Sequence, residues 1–460
     1  MLKNYISGFK GSFALHTELR AQQNVNRAVS MLGGSLISNS RTEESGVSAR
    51  VYKNGVYGFA SGAEYSEESV KAILAAAERN AEFMDNRVNK GKPAFPALES
   101  DSYRMARKVE DAEQKLYIEF AKEIDAYVSE KYPNLASRRV VVRSDAMEKL
   151  FVGSDGFDSY SLVPRSFAGV VLTAETKDGS TVELYKMFGG HGYFGEQFSS
   201  TDKLYADIDK VYEMLLQKAE GIYADAGEKD VIMHPNLAGI LAHEAVGHTV
   251  EADLVLGGSV AGPYLGKRVA SELITMVDFA NTLHDGMPAP LPIYVDDEGT
   301  PATDELLIKD GILVGYMNNR ETAQHFGMTP RGNARAYAFS DEPLIRMRNT
   351  GIIPGYSKLE DMISAIEDGY YLVETGNGQA DTTGEFMFSV NMGYEIKNGK
   401  LASAIRDTTI AGVAFDMLKT VDMVSEDNIW TCSGMCGKKQ PMPVGMGGPA
   451  VKCKVNIGGR

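Results

Sequence analysis

The stretch LAGILAHEAVGHTVEADL, residues 237–254, joins an apolar helical pattern to two histidines and three carboxylates. Leu237, Leu241 and His248 fall on one face of a regular α-helix. His243 and His248 are five residues apart, which places them about 140° apart around such a helix. The two imidazoles can therefore face one point only if the helix is irregular.

Two interpretations of this stretch remain open from its residues. In the zinc-peptidase motif H-E-x-x-H the histidines are four apart and reach one metal ion. With five, a regular helix would leave Glu244 half-exposed and His248 hydrogen-bonded, without a metal. A π-bulge would bring residues five apart nearly into line, and Gly247 relaxes the backbone at that point. The second interpretation predicts a metal site on an irregular helix.

A further ligand type occurs near the C-terminus, in CSGMCGKKQPMPVGMGGPAV, residues 432–451. The chain has three cysteines, Cys432, Cys436 and Cys453, too few and too clustered for a disulfide framework, so we expect a reducing compartment. A zinc ion bound by two imidazoles needs a third protein ligand, and a thiolate on a glycine-rich segment can supply it. Spacing alone does not choose between Cys432 and Cys436, and a buried structural thiol is the alternative.

The charge composition of the chain limits the classes of partner that it can bind. The chain has 47 basic and 62 acidic residues and a net charge of −15, which argues against electrostatic binding of nucleic acid or an anionic membrane. We expect a protein, a peptide or a small molecule instead. The sequence starts without a signal-peptide core and has no apolar run of about 18 residues, so a cytoplasmic protein is expected.

The length of 460 residues favours two or more domains. The polar segment AGEKD, residues 226–230, suggests a boundary. We predict an α+β protein, with an α/β N-terminal domain over residues 1–225 and a β-rich C-terminal domain over residues 226–460 that carries the metal-site helix.

Local patterns predict the elements of both halves. Helices are expected over residues 17–32, 66–84, 110–132, 202–225, 357–369 and 411–424. Strands are expected over residues 273–280 and 292–297. Hairpin turns are predicted where a short polar residue precedes glycine: Asn54-Gly55, Asp178-Gly179, Asp310-Gly311 and Asn398-Gly399.

Taken together, these motifs resemble the TldD/PmbA family, also called modulators of DNA gyrase. The stretch HEAVGHTVEAD matches the family's H-E-A-x-G-H-x-x-E-A-D signature. Further matching segments are spread over nearly the whole chain: residues 50–62, 296–323, 346–355 and 434–451. The resemblance implies a zinc metallopeptidase with the two-domain architecture above. It also implies a dimer that encloses the active site, either a homodimer or a heterodimer with a PmbA/TldE-like sister subunit that lacks the zinc motif.

The resemblance also implies roles for single residues. His243, His248 and Cys436 would bind Zn²⁺, and Glu244 would be the catalytic carboxylate. The implied substrates are unstructured peptides or small labile proteins, including peptide-antibiotic precursors and antitoxins. The C-terminal block departs from the family pattern in lacking the common glycine directly before Gln440, which affects the expected loop geometry.

Other polar residues have two interpretations each. Glu251 and Asp253 either orient the histidines or belong to a solvated helix end. Matching segments contain residues that either line the site or have structural roles: Tyr316, Asn319, Arg320, His325 and Arg346. The stretches GNARA and GNGQADTTGEF lack the phosphate-loop pattern and are interpreted as turns.

Three function classes follow. The first is a zinc peptidase, in which an open strand edge would add an extended peptide as a further strand. The second is a metal-stabilised peptide-binding subunit that is active only with its sister subunit. The third is a thiol redox protein using Cys432 and Cys436, which is disfavoured because C-x-x-x-C lacks the usual C-x-x-C spacing.

Overall fold

The computed structural model describes Leu2 and residues 4–96, 103–105 and 111–458. Its α-helices are α1 (Glu67–Val88), α2 (Gln114–Lys131), α3 (Phe194–Gln197), α4 (Tyr205–Ala219), α5 (Pro235–Leu241), α6 (Ala252–Leu256), α7 (Arg320–Phe326), α8 (Leu359–Ser364) and α9 (Ala414–Lys419). No helix in this described part is long and apolar enough to cross a membrane.

The strands of the first half are β1 (His16–Leu32), β2 (Ser35–Lys53), β3 (Val56–Gly62), β4 (Tyr103–Arg104), β5 (Ser137–Gly153), β6 (Asp158–Glu175) and β7 (Thr181–His191). The strands of the second half as far as Ile352 are β8 (Gly227–Met233), β9 (Met276–Phe279), β10 (Glu305–Lys309), β11 (Ile312–Leu313), β12 (Ala334–Arg335), β13 (Leu344–Ile345) and β14 (Asn349–Ile352). The remaining strands are β15 (Asp368–Ala380), β16 (Glu385–Lys397), β17 (Lys400–Ile405), β18 (Thr408–Val413), β19 (Met423–Val424), β20 (Ile429–Thr431), β21 (Met435–Cys436), β22 (Met442–Pro443), β23 (Gly445–Gly448) and β24 (Val451–Gly458).

The first half forms one sheet in the order β3-β2-β1-β5-β6-β4, with β7 also paired to β6. Helix α1 packs on β1–β3 through one apolar core, and α2 and α4 pack on β5–β7 through another. The hairpin predicted at Asn54-Gly55 is confirmed, and both residues have the positive φ that this tight turn requires.

The helix predicted over residues 17–32 is wrong, since this segment is the strand β1. It pairs antiparallel with β2 on one side and with β5 on the other along nearly its whole length. The side chains of Leu19 and Ala21 enter an apolar core, while Arg20 and Gln22 are also buried, against the second half of the chain. Burial on both faces hides the alternation that a half-exposed strand would show, and strand pairing overrides local propensity.

The second half contains two larger sheets and confirms the predicted α+β class. The order β15-β8-β24-β18-β16-β17 closes on itself because β15 also pairs with β16. The other sheet has the order β11-β10-β9-β14-β23-β20. Helix α5 lies between them and packs closely on β23, where a side chain at Gly239 would contact the Gly447 backbone at 2.7 Å.

The strand predicted over residues 292–297 is wrong. In this segment only Val295 forms an isolated bridge, to Pro301. The Asp296 carboxylate accepts hydrogen bonds from the backbone N–H groups of Glu298, Thr300 and Ala334, so the chain turns back on itself here. Such local side-chain acceptors compete with a strand ladder.

Polar side chains of the first sheet bind backbone carbonyls of the second half. Arg20 donates to Ala338 and Asp341, and Asn24 donates to the Tyr337 carbonyl at 2.6 Å. These hydrogen bonds join the first sheet to residues 337–341 in the second half of the chain.

Candidate metal centre

The motif segment is an irregular helix. Helix α5 begins with Pro235 and ends at Leu241; a π-helical turn follows over Ala242–Gly247 and a 3₁₀ turn over His248–Val250. The predicted π-type distortion is therefore confirmed. Because a π turn advances by five residues, it brings the side chains of His243 and His248 to the same side.

Gly247 is needed here for space. Its dihedral angles, φ −54° and ψ −49°, are those of an ordinary right-handed helix, so any residue can adopt them. A Cβ atom at this position would overlap the sulfur of Met347, which is fully buried beneath the turn. Glycine was expected here because it relaxes the backbone, but the structure shows that it is needed because it packs closely against Met347.

Three side chains converge beside this turn. One ligand atom from each of His243, His248 and Cys436 lies within 4.8 Å of the other two, and the Cys436 sulfur is 3.4 Å from His248 Nε2. The His243 side chain is almost fully buried, yet neither of its ring nitrogens has a hydrogen-bond partner among the described residues. A buried imidazole without partners is costly unless something binds it, so the arrangement fits a metal ion.

Glu244 lies next to this cluster. Its carboxylate oxygens are 4.0 Å from His243 Nε2 and 3.6 Å from His248 Nε2. The side chain is 28% exposed, in contrast to 1% for His243, so it borders both the cluster and the solvent. A carboxylate at this position can contact a water molecule bound beside the imidazoles.

The two acidic residues that follow behave differently. Glu251 is fully buried and its Oε2 atom lies 2.7 Å from His248 Nδ1. Asp253 instead binds the ammonium of Lys438 at 2.8 Å, and this ammonium lies 3.3 Å from Glu251. Glu251 thus orients His248 directly, whereas Asp253 acts on the ammonium that bridges the helix to the cysteine loop.

The charged groups of the cluster give the Cys436 thiol a different pKa from the Cys432 thiol. Burial alone would raise the pKa of Cys436, but the adjacent imidazoles of His243 and His248 hold that pKa at about 3. Burial lowers the pKa of His248, while Cys436 and Glu251 outweigh burial and raise that pKa to about 10. For Cys432, burial raises the pKa to about 11. These two shifts describe a thiolate at Cys436 paired with a protonated His248, and a metal ion bound by both side chains would take the place of the imidazole proton.

The loop that carries Cys436 is held by Arg346, whose side chain is fully buried. Its Nη2 donates to the Cys436 carbonyl at 2.6 Å, and its Nη1 donates to the carbonyls of Lys438 and Gln440. Sequence reasoning grouped Arg346 with four other residues and did not identify this role. No local pattern could reveal it, because about ninety residues separate donor and acceptors.

The other four residues of that group have structural contacts and lie outside the cluster of three ligands. The Tyr316 hydroxyl donates to the Ala261 carbonyl, and Asn319 caps helix α7. Arg320 donates to Asp155, while the His325 ring packs against Phe326. Sequence reasoning also missed Lys438 and Met347, which contact the metal-site segment from other parts of the chain.

Family models match three consecutive parts of the chain. They are described as PmbA/TldA metallopeptidase domain 1 over residues 17–81, the central domain over residues 107–232, and the C-terminal domain over residues 226–459. The C-terminal model alone spans half of the chain, including every residue of the cluster.

Whole-length relatives carry related names. A protein of Methanothermobacter thermautotrophicus named metalloprotease is 30% identical over 443 residues, which cover 95% of this chain and 94% of the relative. A protein of Saccharolobus solfataricus named zinc metalloprotease TldD homolog is 29% identical over 420 residues, 90% of each chain.

Solved structures share the fold. TldE from Thermococcus kodakarensis superposes with a TM-score of 0.75 at 19% identity, covering 99% of both chains. A protein of Thermotoga maritima named for modulation of a DNA gyrase gives a TM-score of 0.78 at 19% identity, covering 98% of both. With the family models and the metalloprotease relatives, these likenesses lead to one conclusion: the chain belongs to the PmbA/TldD family of metallopeptidases.

Proposed function

We propose that this chain is a zinc-dependent peptidase of the H-E-x-x-x-H type. The observation that carries the proposal is the convergence of His243, His248 and Cys436 beside the half-exposed carboxylate of Glu244. Two imidazoles and one thiolate suit zinc, which takes nitrogen and sulfur ligands and in catalytic sites leaves a fourth position open. The name of the Saccharolobus relative supports the same metal.

Zinc in such a site supplies a water of lowered pKa and polarises a carbonyl group. The chain's own part is proton transfer. Glu244 lies 3.6 to 4.0 Å from the two Nε2 atoms, and it is accessible from solvent. We assign it the role of general base that takes a proton from water and delivers it to the leaving amine.

Glu251 prepares His248 for this task. By accepting a hydrogen bond from Nδ1, it leaves Nε2 as the atom that faces the thiolate and the ion. Arg346 and Lys438 hold the opposite ligand in place through the carbonyl of Cys436 and the carboxylates of Glu251 and Asp253. These contacts keep the three ligands arranged before the ion binds.

The proposed substrates are unstructured peptides or small labile proteins. The sheet β11-β10-β9-β14-β23-β20 ends at β20, which within the described residues has one edge without a strand neighbour. An extended peptide can add to such an edge by main-chain hydrogen bonds, which tolerate varied side chains. We therefore expect broad sequence specificity.

The partner in the active assembly is proposed to be a second chain of the same fold, either an identical copy or a PmbA/TldE-like sister subunit. The whole-length likeness to TldE supports this choice. A second candidate function follows from it, namely a zinc-bound peptide-binding subunit that cleaves nothing until the sister subunit is added. Turnover by the isolated chain would exclude this candidate.

The test of the peptidase proposal is Glu244→Gln. The variant should keep about one zinc ion per chain by elemental analysis, because Glu244 is not among the three ligands. It should lose cleavage of an unstructured peptide in whichever dimer is active, followed by mass spectrometry. Unchanged turnover would remove Glu244 from the mechanism, and folded protein that binds no zinc would overturn the peptidase proposal.

A further inference from the structure

The Cys436 loop, residues 432–440, accepts hydrogen bonds from both halves of the chain. Arg346, from the second half, binds the carbonyls of Cys436, Lys438 and Gln440. The carbonyls that precede Cys436 have other donors, and these come from the first half. The position of the third candidate ligand therefore depends on contacts with two distant parts of the chain.

Arg165 is the main donor from the first half. It belongs to β6, and its side chain is almost fully buried. Its Nη1 donates to the Cys432 carbonyl at 2.5 Å and lies 3.4 Å from the Gly434 carbonyl, while its Nη2 lies 3.3 Å from the Met435 sulfur. These contacts extend to the residue directly before Cys436.

The guanidinium of Arg165 is itself held by Asp145 on the neighbouring strand β5. The two residues are cross-strand partners, and the carboxylate accepts from Nε at 2.9 Å and from Nη2 at 2.8 Å. A two-point pair of this kind fixes the plane of the guanidinium and balances its buried charge. It leaves Nη1 as the donor for the loop.

A second arginine of the first sheet adds one contact. Arg143, on β5, donates from Nη2 to the Ser433 carbonyl at 2.9 Å. The guanidinium carbons of Arg143 and Arg165 lie 5.2 and 5.5 Å from the centroid of the Phe167 ring, which is fully buried. Cations over an aromatic ring are attracted to it, so the donors that meet the loop are held in place before the loop packs against them.

The backbone of the loop has little support of its own at Cys436. Within the described residues β21 and β22 pair only at Met435–Pro443 and Cys436–Met442. An isolated two-stranded ladder is marginal in water, and this one is very short. The arginine side chains therefore contribute much of what keeps the Cys436 sulfur 3.4 Å from His248 Nε2.

We propose that Arg165 is a positioning residue for the third zinc ligand, so that the first half of the chain holds Cys436 at the metal centre. The inference rests on the zinc site proposed above and adds a contribution of the first half to it. The turn with His243 and His248 packs in the apolar core of the second half. Loss of Arg165 should therefore displace the thiol and leave the two imidazoles in place.

The experiment measures metal binding by the full chain, so it does not depend on turnover. Arg165→Gln removes the pair with Asp145 and the bonds to the loop carbonyls. Zinc affinity, measured by competition with a chelator, should fall about 10- to 100-fold, as for other groups that orient a ligand. Arg165→Lys keeps the charge without the planar fork and should recover part of the affinity.

A spectroscopic measurement reports on the thiolate itself. When Co²⁺ replaces zinc, a bound thiolate gives a near-ultraviolet absorption band, which zinc with its filled d shell does not give. At saturating Co²⁺, the Arg165→Gln protein should show a weaker band than the parent. Cys436→Ser should show none, and it sets the baseline for the comparison.

Arg50→Gln is the matched control. Arg50 is also a buried arginine of the first sheet, it is paired with Glu18, and it binds Glu298 in the second half, outside the Cys436 loop. Its loss should lower the free energy of unfolding of the metal-free protein and leave zinc affinity and the cobalt band unchanged. If Arg165→Gln does not fold, Asp145→Asn, which keeps the guanidinium and weakens its pair, should give a smaller fall in zinc affinity.

The possible results separate a positioning role from a structural one. An Arg165→Gln protein that is less stable but keeps the zinc affinity and the cobalt band of the parent would overturn the proposal. An equal fall in zinc affinity in Arg50→Gln would also overturn it, because any weakening of the contact between the halves would then be sufficient. A parent that binds zinc but cleaves no peptide in any dimer would overturn the peptidase function and leave the role of Arg165 standing.

Discussion

The two segments that supply the candidate metal ligands are held by different forces. The turn with His243 and His248 is surrounded by apolar contacts, and Ala242, Ala245 and Val246 within it are fully buried. The loop with Cys436 is held by polar contacts from distant parts of the chain. Close packing tolerates little displacement, whereas a polar anchor fails when one donor is lost. Cys436 is therefore the most vulnerable of the three candidate ligands.

The largest effect is expected for Cys436→Ser. It should lose most of the bound zinc and all peptidase activity, because a hydroxyl is a poor replacement for a thiolate. Cys432→Ser and Cys453→Ala are the matched controls and should keep the zinc content of the parent, since both thiols lie outside the cluster. Zinc is measured by elemental analysis of dialysed protein. If Cys432→Ser is the variant that empties the site, the assignment of the third ligand is wrong.

The next largest effect is expected for Arg346→Ala, which removes three hydrogen bonds from the Cys436 loop. Zinc affinity should fall about 10- to 100-fold, as for other groups that orient a ligand. Arg346→Lys should recover part of it. The measurement is competition with a chelator, with Arg331→Gln as a control outside the loop. A fall in thermal stability of the metal-free protein with unchanged zinc affinity would show that Arg346 supports the fold alone.

A smaller effect should separate the two acidic residues. Glu251→Gln keeps an oxygen acceptor for His248 Nδ1 but removes the buried charge, so zinc affinity should fall by about tenfold. Asp253→Asn should change it by less than that, because Asp253 acts only through Lys438. The zinc affinities of the two variants are compared by competition with a chelator at one pH. Equal losses in both variants would mean that the helix end acts as one network.

The smallest predicted effect concerns Lys439, directly before Gln440, where the resemblance to the family led us to expect glycine. Lys439 is exposed and has φ +57°, in the left-handed region that favours glycine. Lys439→Gly should raise the free energy of unfolding by about 0.5 to 1 kcal/mol, measured by denaturant unfolding. Asn398→Gly is the control: this residue also has positive φ, but it lies in a distant hairpin, so the substitution should change stability and leave zinc affinity unchanged. A loss of stability in Lys439→Gly would show that its side chain contributes more than its strain costs.

Several features of the site and of the fold could be predicted from the sequence. The five-residue spacing of His243 and His248 predicted an irregular helix, and the structure has a π turn there. The positive-φ hairpin at Asn54-Gly55 and the capped helix α1 were likewise predictable from local chemistry. Each of these depends on residues within a few positions of one another.

The tertiary structure decided what depends on distant contacts. Residues 17–32 have the composition of a helix, yet pairing with β2 and β5 makes them a strand. Two thiols stand four positions apart in the sequence, and only the packed loop brings Cys436 to the imidazoles. From the sequence alone, Gly247 suggests a relaxed backbone. In the structure, glycine is needed there because a Cβ atom would overlap the sulfur of Met347.

The same division holds for Arg346, which lies in a segment whose sequence offers no sign of its contacts with the Cys436 loop. A sequence specifies periodicity, turns and ligand types because these follow from neighbours along the chain. It does not specify which carbonyl a buried guanidinium will meet, because that partner is fixed by the packing of elements about ninety residues away. The ligand types of the candidate site were therefore set by the sequence, and their arrangement was set by the fold.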